Sequence, residues 1–403
     1  MLTQMKARSF IVLLNQFFSL LGIMIISKSL DIQSFYIFSS AIILFQVLFV
    51  ITEWGFAFYS INFFKKNSDN KIKNYLVILI FASKFILLLC IIFVISIFFY
   101  LNSFIFKNYP IFLSFIFLII SAGLNPLWFY QSINKPEVLM WPTLVSKIIY
   151  LSIIFFVFIF FNIKDVHWAI VAQGISFAIV SYYGYYKLKD FKITFDQVPP
   201  LVDVIKLIKS NFNFFISEII LNYCYSLWGI LILIFGNSIQ IIIFNISDLV
   251  LKSGIALTQS IPEILLGEKK KEKLKKYILI SIIVLFFCSI VGFLVAPFFI
   301  EIFFGNKYLI ALNVLYIVII LWFVISTNKI FIYGFMANKF SLNKLNKLNI
   351  YFSFLHVLFI IFWIYHSSYD ALSLSLFILT INLLQVITMV IINYFSNRIM
   401  FNK

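Results

Sequence analysis

Charge is what this sequence has least of. Asp, Glu, Lys and Arg make up 11% of its 403 residues, whereas 63% are hydrophobic. A water-soluble domain of this size needs a hydrated, charged shell around its core, and this composition cannot supply one. The solvent around the chain is therefore largely lipid. Acid is scarcer than base, with 15 Asp and Glu against 31 Lys and Arg. Nucleic-acid binding would need those bases clustered on one surface beside stacking aromatics. Here the lysines punctuate apolar runs, so no nucleic-acid partner is expected. Cysteine is rare too: Cys90, Cys224 and Cys288 each sit inside an apolar run, with no CxxC spacing to hold a metal. His167, His356 and His366 have no metal partners at useful spacing. No GxSxG or Walker string is present, and no outside segment is long enough for a glycosyl-transfer or polymerase site. These absences exclude an enzyme and a bound cofactor, and they favour secondary over ATP-driven transport.

What is present is a series of long apolar runs. A membrane-spanning helix needs about 20 mostly apolar residues. Cutting the chain at its polar punctuation gives twelve spans: 10–27, 35–61, 75–100, 110–131, 144–163, 167–187, 211–235, 239–263, 277–300, 308–336, 350–366 and 369–395. Stretches such as Ile278 to Ile290 lack the polar–apolar alternation of a β-barrel strand. The fold class is thus all-α and polytopic. The first run, preceded by Lys6 and Arg8, has no small-residue cleavage site after it and reads as a retained helix.

The lysines then orient the spans. With the N-terminus inside, the inner segments hold the clusters Lys65, Lys66, Lys71 and Lys73; Lys187, Lys189, Lys192, Lys206 and Lys209; Lys269 to Lys271, Lys273, Lys275 and Lys276; and Lys339, Lys344 and Lys347. The outer segments hold single lysines, namely Lys28, Lys107, Lys164 and Lys307. This bias is the positive-inside pattern for an even number of spans, with both termini cytoplasmic. A basic, Pro199-Pro200-containing stretch over 188–210 reads as a cytoplasmic connector ending in a short interfacial helix at 201–209. It separates an N-terminal six-helix lobe, 1–187, from a C-terminal one, 211–403. Phe104 to Tyr109 and Phe303 to Tyr308 are alike in residue type and hold equivalent places in the halves, as in parallel repeats.

Seven ionisable side chains fall within or near the apolar runs: Glu53, Lys84, Lys147, Glu218, Asp248, Lys252 and Lys329. A charge at mid-helix costs about 2.5 to 3.5 kcal/mol on insertion scales, so such residues face a bundle interior or a watery path. Lys84, Lys252 and Lys329 are the first candidates for a cationic lining, and Lys147 could instead snorkel to an interface. Asp248 and Lys252, four residues apart, can neutralise one another on one helix face. Glu53, Glu218 and Asp248 are candidates for proton or sodium coupling, or for charge balance. Asn125-Pro126 interrupts span 4 and predicts a kink. Pro297 reads as a helix-end signal, and Trp128, Tyr130, Trp141 and Trp168 read as interfacial anchors.

The string Asn125-Pro126-Leu127-Trp128-Phe129-Tyr130-Gln131, with Asn134-Lys135 after it, resembles the P-x-W-x-Y/F-Q-G-x-E-K signature of bacterial polysaccharide-unit flippases, the O-antigen translocase (Wzx) group. Ser132 and Asn134 depart from that pattern. Glu53-Trp54-Gly55-Phe56 and Phe303 to Tyr308 resemble further segments of the same family. The resemblance implies membership of the multidrug/oligosaccharidyl-lipid/polysaccharide exporter superfamily, with two six-helix lobes around a central cavity and alternating access. It implies a cargo of undecaprenyl-pyrophosphate-linked oligosaccharide, moved across the bacterial inner membrane for O-antigen or capsule assembly. Lys84, Lys252, Lys329 and Lys147 would then bind the head group, with H+ or Na+ coupling. A polysaccharide polymerase and a chain-length regulator are the implied partners, besides membrane lipid. Trp128, Phe129 and Tyr130 would either pack the kinked signature or stack near sugars. The rival readings are an ion-coupled exporter of amphipathic small molecules and a non-transporting scaffold in a polysaccharide assembly complex.

Overall fold

A computed structural model describes residues 2–67, 69–101, 109–133, 135–191, 193, 198–218, 224–258, 271–331, 342–366 and 369–401. Their secondary structure is helical throughout: α1 Leu2–Ser29, α2 Ile32–Glu53, α3 Phe56–Lys66, α4 Asn70–Leu101, α5 Tyr109–Gly123, α6 Leu127–Ser132, α7 Met140–Ile154, α8 Val166–Lys187, α9 Leu201–Glu218, α10 Cys224–Phe235 and α11 Ser238–Thr258. Four more follow: α12 Lys271–Phe303, α13 Leu312–Phe331, α14 Leu342–His366 and α15 Ala371–Phe401. Hydrocarbon offers no partner for backbone N–H and C=O groups, and a helix satisfies them within one segment. Among the described residues, nine helical segments are long and apolar enough to cross a bilayer. Their outward faces carry Phe93, Phe287, Leu294 and Phe298, all exposed, as a lipid-facing surface requires. The chain is an all-α, multi-pass membrane protein.

Local chemistry sets the helix ends. Asp31 caps α2 by accepting a hydrogen bond from the Ser34 amide at 3.1 Å, and Asp165 caps α8 through the His167 amide at 3.2 Å. A π-helical turn, Phe155–Phe160, finishes α7 before the chain turns at 161–165 into α8. Gly305, at φ +92°, turns the chain after α12 into a tight helical turn over Asn306–Ala311.

Four expectations are corrected. The run 35–61 is not one helix but α2 and α3, broken where Trp54 and Gly55 both take positive φ, 43° and 70°. The helix beginning at Leu201 is not short; it continues to Glu218, because an apolar face carrying Val204 and Leu207 keeps packing against α3 and α4. Pro297 does not end α12, which continues to Phe303. Trp128 and Tyr130 are buried rather than interfacial, whereas Trp141 and Trp168 are exposed.

The chain divides into two compact units, Met1–Ile230 and Leu231–Lys403. The first therefore takes in the whole 188–210 stretch, since α9 packs on α3 and α4. In this unit α5 packs extensively on α8, α8 on α7, and α7 on α1. A second cluster joins Phe56 of α3, Val77 and Phe81 of α4, Trp128 and Tyr130 of α6, and Val204 and Leu207 of α9. The other unit is built around α13, which packs on α11, α12 and α15.

Gly55 is where this packing tolerates no side chain. A Cβ there would lie 2.7 Å from the Phe215 backbone nitrogen, and φ +70° strains any L-residue. Gly55→Val should lower stability by about 1–3 kcal/mol or more. Gly292→Ala meets only ordinary contact, at 3.5 Å, and should cost nothing. Thermal unfolding of the purified variants in detergent, followed by intrinsic fluorescence, is the check; equal melting temperatures would contradict the packing described.

Candidate functional site

Two interrupted helices meet at one lysine. Pro126 has no N–H and cannot continue α5, which ends at Gly123 and leaves last-turn carbonyls without helical partners. Lys84, on α4 and wholly buried, donates to the carbonyls of Gly123 and Asn125 at 3.3 and 3.4 Å. Its third donor goes to Glu53 Oε1, at 2.7 Å, on the last residue of α2. The ammonium thus lies at the carboxyl ends of both α2 and α5, where helix dipoles favour a cation. Asn125 Oδ1 accepts from the Leu127 amide at 3.0 Å and starts α6. Immediately past Glu53, the Trp54 indole donates to the Ile208 carbonyl at 2.9 Å and stacks on Phe215 at 4.1 Å, which fastens α9 to the same break.

The aromatic residues of the signature build this support. Tyr130 donates to the Gly184 carbonyl at 2.5 Å, Trp128 packs edge-on against Phe81 at 5.4 Å, and both are buried with Phe129. Gln131 is exposed, and Pro126 closes on Gly184 of α8.

Lys147, on α7, has a different setting. Its ammonium stands 5.5 Å from the centre of the Tyr150 ring and 5.9 Å from that of Phe177, and donates to Ser19 Oγ at 3.3 Å. Among the described residues it has no carboxylate partner. Aromatic faces stabilise the positive charge without cancelling it.

In the second unit Asp248 and Lys252 form the expected pair within α11, at 2.5 Å, with the carboxylate buried. Lys329, in the last turn of α13, has neither a hydrogen-bond nor an ion-pair partner among the described residues. Beside it lie Thr327 and Asn328, whose buried Oγ1 and Oδ1 have no partner among the described residues, and Ser326, whose hydroxyl meets that of Thr258 at 2.9 Å. The Trp322 indole nitrogen also has no partner among the described residues and sits two turns before Lys329 on the same helix face.

The structure therefore brings Glu53 to Lys84 and Asp248 to Lys252, and gives Lys147 and Lys329 no such partner among the described residues. The side chain of Glu218 and the segment Phe104–Asn108 lie outside the described residues. Ser19, Phe177, Thr258 and the polar run Ser326–Asn328 were not singled out from sequence. The last had a readable signal, three adjacent polar residues in an apolar helix; the others gather only through helix packing.

Residues 7–243, more than half of the chain, match the family described as polysaccharide biosynthesis protein. The chain belongs to that family. No curated protein matches this member of the polysaccharide biosynthesis family. Its fold is that of several solved transporters. An inward-facing multidrug resistance MATE family transporter of the MOP superfamily has a TM-score of 0.69 at 14% identity, over 95% of this chain and 94% of that one. The lipid II flippase MurJ, in an inward closed conformation, has a TM-score of 0.67 at 12% identity, over 97% and 87%. A MOP superfamily transporter from Pyrococcus furiosus, described as having a binding pocket of reverse polarity, has a TM-score of 0.60 at 13% identity, over 98% and 95%. This family member thus shares the fold of these transporters and of this flippase.

Removing Lys84 leaves Glu53 and two carbonyls without their cation. Lys84→Met should destabilise the protein by about 3–5 kcal/mol, as breaking a buried pair does. Lys84→Met combined with Glu53→Gln should recover part of that loss. Melting temperatures of the two variants in one detergent decide it; no recovery in the double variant would mean that Glu53 is not the charge Lys84 balances.

Proposed function

We propose that the protein carries an undecaprenyl-pyrophosphate-linked oligosaccharide from the cytoplasmic to the periplasmic leaflet of the bacterial inner membrane, by alternating access, for O-antigen or capsule assembly. The observation that carries this reading is the sorting of the embedded lysines. Lys84 and Lys252 are neutralised by Glu53 and Asp248, while Lys147 in the first unit and Lys329 in the second have no carboxylate partner among the described residues. Uncompensated positive charge in a low-dielectric setting favours an anion. A pyrophosphate is such a group, and its polyprenyl tail can stay in lipid while the head group crosses. The neutral pairs then shape the protein, and Lys147 and Lys329 are the lysines that each unit by itself offers to an anionic group. The Trp322 indole N–H, Thr327 and Asn328, without partners among the described residues, add hydrogen-bonding capacity of the kind sugar hydroxyls need.

An exporter of hydrophobic cations would place uncompensated acid where these lysines are. Coupling to H+ or Na+ falls to Glu53 or Asp248, each beside a lysine that would feel its neutralisation. A polymerase and a chain-length regulator would receive the product.

Reconstitution with a labelled undecaprenyl-pyrophosphate oligosaccharide in one leaflet tests the reading. Head-group crossing should require the protein and fall about tenfold or more in Lys147→Ala and in Lys329→Ala, the scale of one charge-assisted hydrogen bond. The neutral double variant Asp248→Asn/Lys252→Gln should lose less. Unchanged crossing in both alanine variants would remove these lysines from the path, and absence of crossing by folded wild type across cognate glycans would sink the flippase reading. Collapse of an imposed H+ or Na+ gradient should slow wild-type crossing if the transport is coupled.

A further inference from the structure

Helix α9 has two faces of opposite character. Val204, Leu207, Ile208, Asn211 and Phe215 lie within about 100° of arc and face α3 and α4, where Ile208 and Phe215 hold Trp54. The opposite arc, about 140° wide, carries Leu201, Val202, Ile205, Lys206, Lys209 and Phe212, all exposed, Val202 by 74%. No acidic residue lies between 204 and 217. The first-turn acid, Asp203, is already engaged, accepting from the Tyr75 hydroxyl at 2.7 Å. That bond joins the N-terminal ends of α4 and α9, and at the start of α4 lie exposed Lys71 and Ile72, with the Lys71 amide donating to Asp69 at 2.8 Å.

An outward face of large apolar side chains and of lysines with no ion-pair partner among the described residues fits neither bulk water nor the bilayer centre. Its match is the boundary between them, with acyl chain against the apolar residues and phosphate against the ammoniums. We propose that the outer face of α9 is a binding surface for anionic phospholipid head groups. Lys206, Lys209 and Lys71 take the phosphates, while Leu201, Val202, Ile205 and Phe212 enter the acyl boundary. Net negative charge sets the preference, since a zwitterionic surface offers nothing for unopposed lysines. Because α9 also clamps Trp54, lipid held on this face steadies the break between α2 and α3.

Delipidated protein in detergent, titrated with phosphatidylglycerol or phosphatidylcholine and followed by melting temperature and by lipid retention in native mass spectrometry, tests this without any transport of cargo. Phosphatidylglycerol should raise the melting temperature and phosphatidylcholine should not. Lys206→Ser/Lys209→Ser should need about tenfold or more phosphatidylglycerol for the same effect, and Lys206→Arg/Lys209→Arg should match wild type. An equal response to both lipids, or an unchanged response in the serine variant, would overturn the proposal. Should the serine variant fail to fold, salt decides: about 1 M salt shrinks the screening length to roughly 3 Å and should abolish the wild-type response, and a salt-insensitive response would overturn the proposal. If added undecaprenyl pyrophosphate at equal concentration displaced the retained phospholipid from wild type, the surface would belong to the cargo instead.

Discussion

The ammonium of Lys84 is the point on which the first unit depends. Breaking a helix inside a membrane leaves carbonyls that need a partner other than water, and two such breaks, after Glu53 and after Gly123, lie close together in this unit. One buried cation, with three donors, serves Gly123 and Asn125 at one break and Glu53 at the other. The arrangement is self-consistent: the carboxylate offsets the burial of the lysine, and the helix ends supply further negative potential. Around it the signature aromatics and α9 close a dense shell, so the interruption at Asn125-Pro126 is rigidly supported rather than loose.

That same commitment separates the embedded charges into two kinds. Lys84 and Lys252 each stand beside a carboxylate and form local dipoles with no net charge. Lys147 and Lys329, one in each unit, have no carboxylate partner among the described residues; aromatic faces flank the first, and polar atoms without a partner among those residues border the second. Family membership and the shared fold do not fix a cargo, since one fold can carry very different functions. The proposed anionic cargo therefore rests on the sign of the uncompensated charge, a property of side chains rather than of the fold.

The breaks in the helices were unequally visible in the sequence. Proline after Asn125 announces one by removing a donor. Trp54-Gly55 announces nothing, since glycine in a long apolar run is common in membrane helices; only the structure shows that both residues take positive φ there and that Phe214 and Phe215 of α9 pack against Gly55 too closely for a side chain. The length of α9 was hidden for a related reason. Its second half reads as the start of a span, and only packing against α3 and α4 makes it one helix from Leu201 to Glu218.

The sequence by itself determined the solvent, the helical class and the neutral pair in α11. Composition settles the first, the backbone's need for partners in hydrocarbon settles the second, and helix pitch brings Asp248 and Lys252 together whatever surrounds them. Only the tertiary structure decided which remaining lysines are neutralised. Glu53 and Lys84 are 31 residues apart and lie on different helices, and they meet only through the packing of α2, α4 and α5. Ion pairing falls off with separation in space, and separation along the chain carries no information about it once a helix ends.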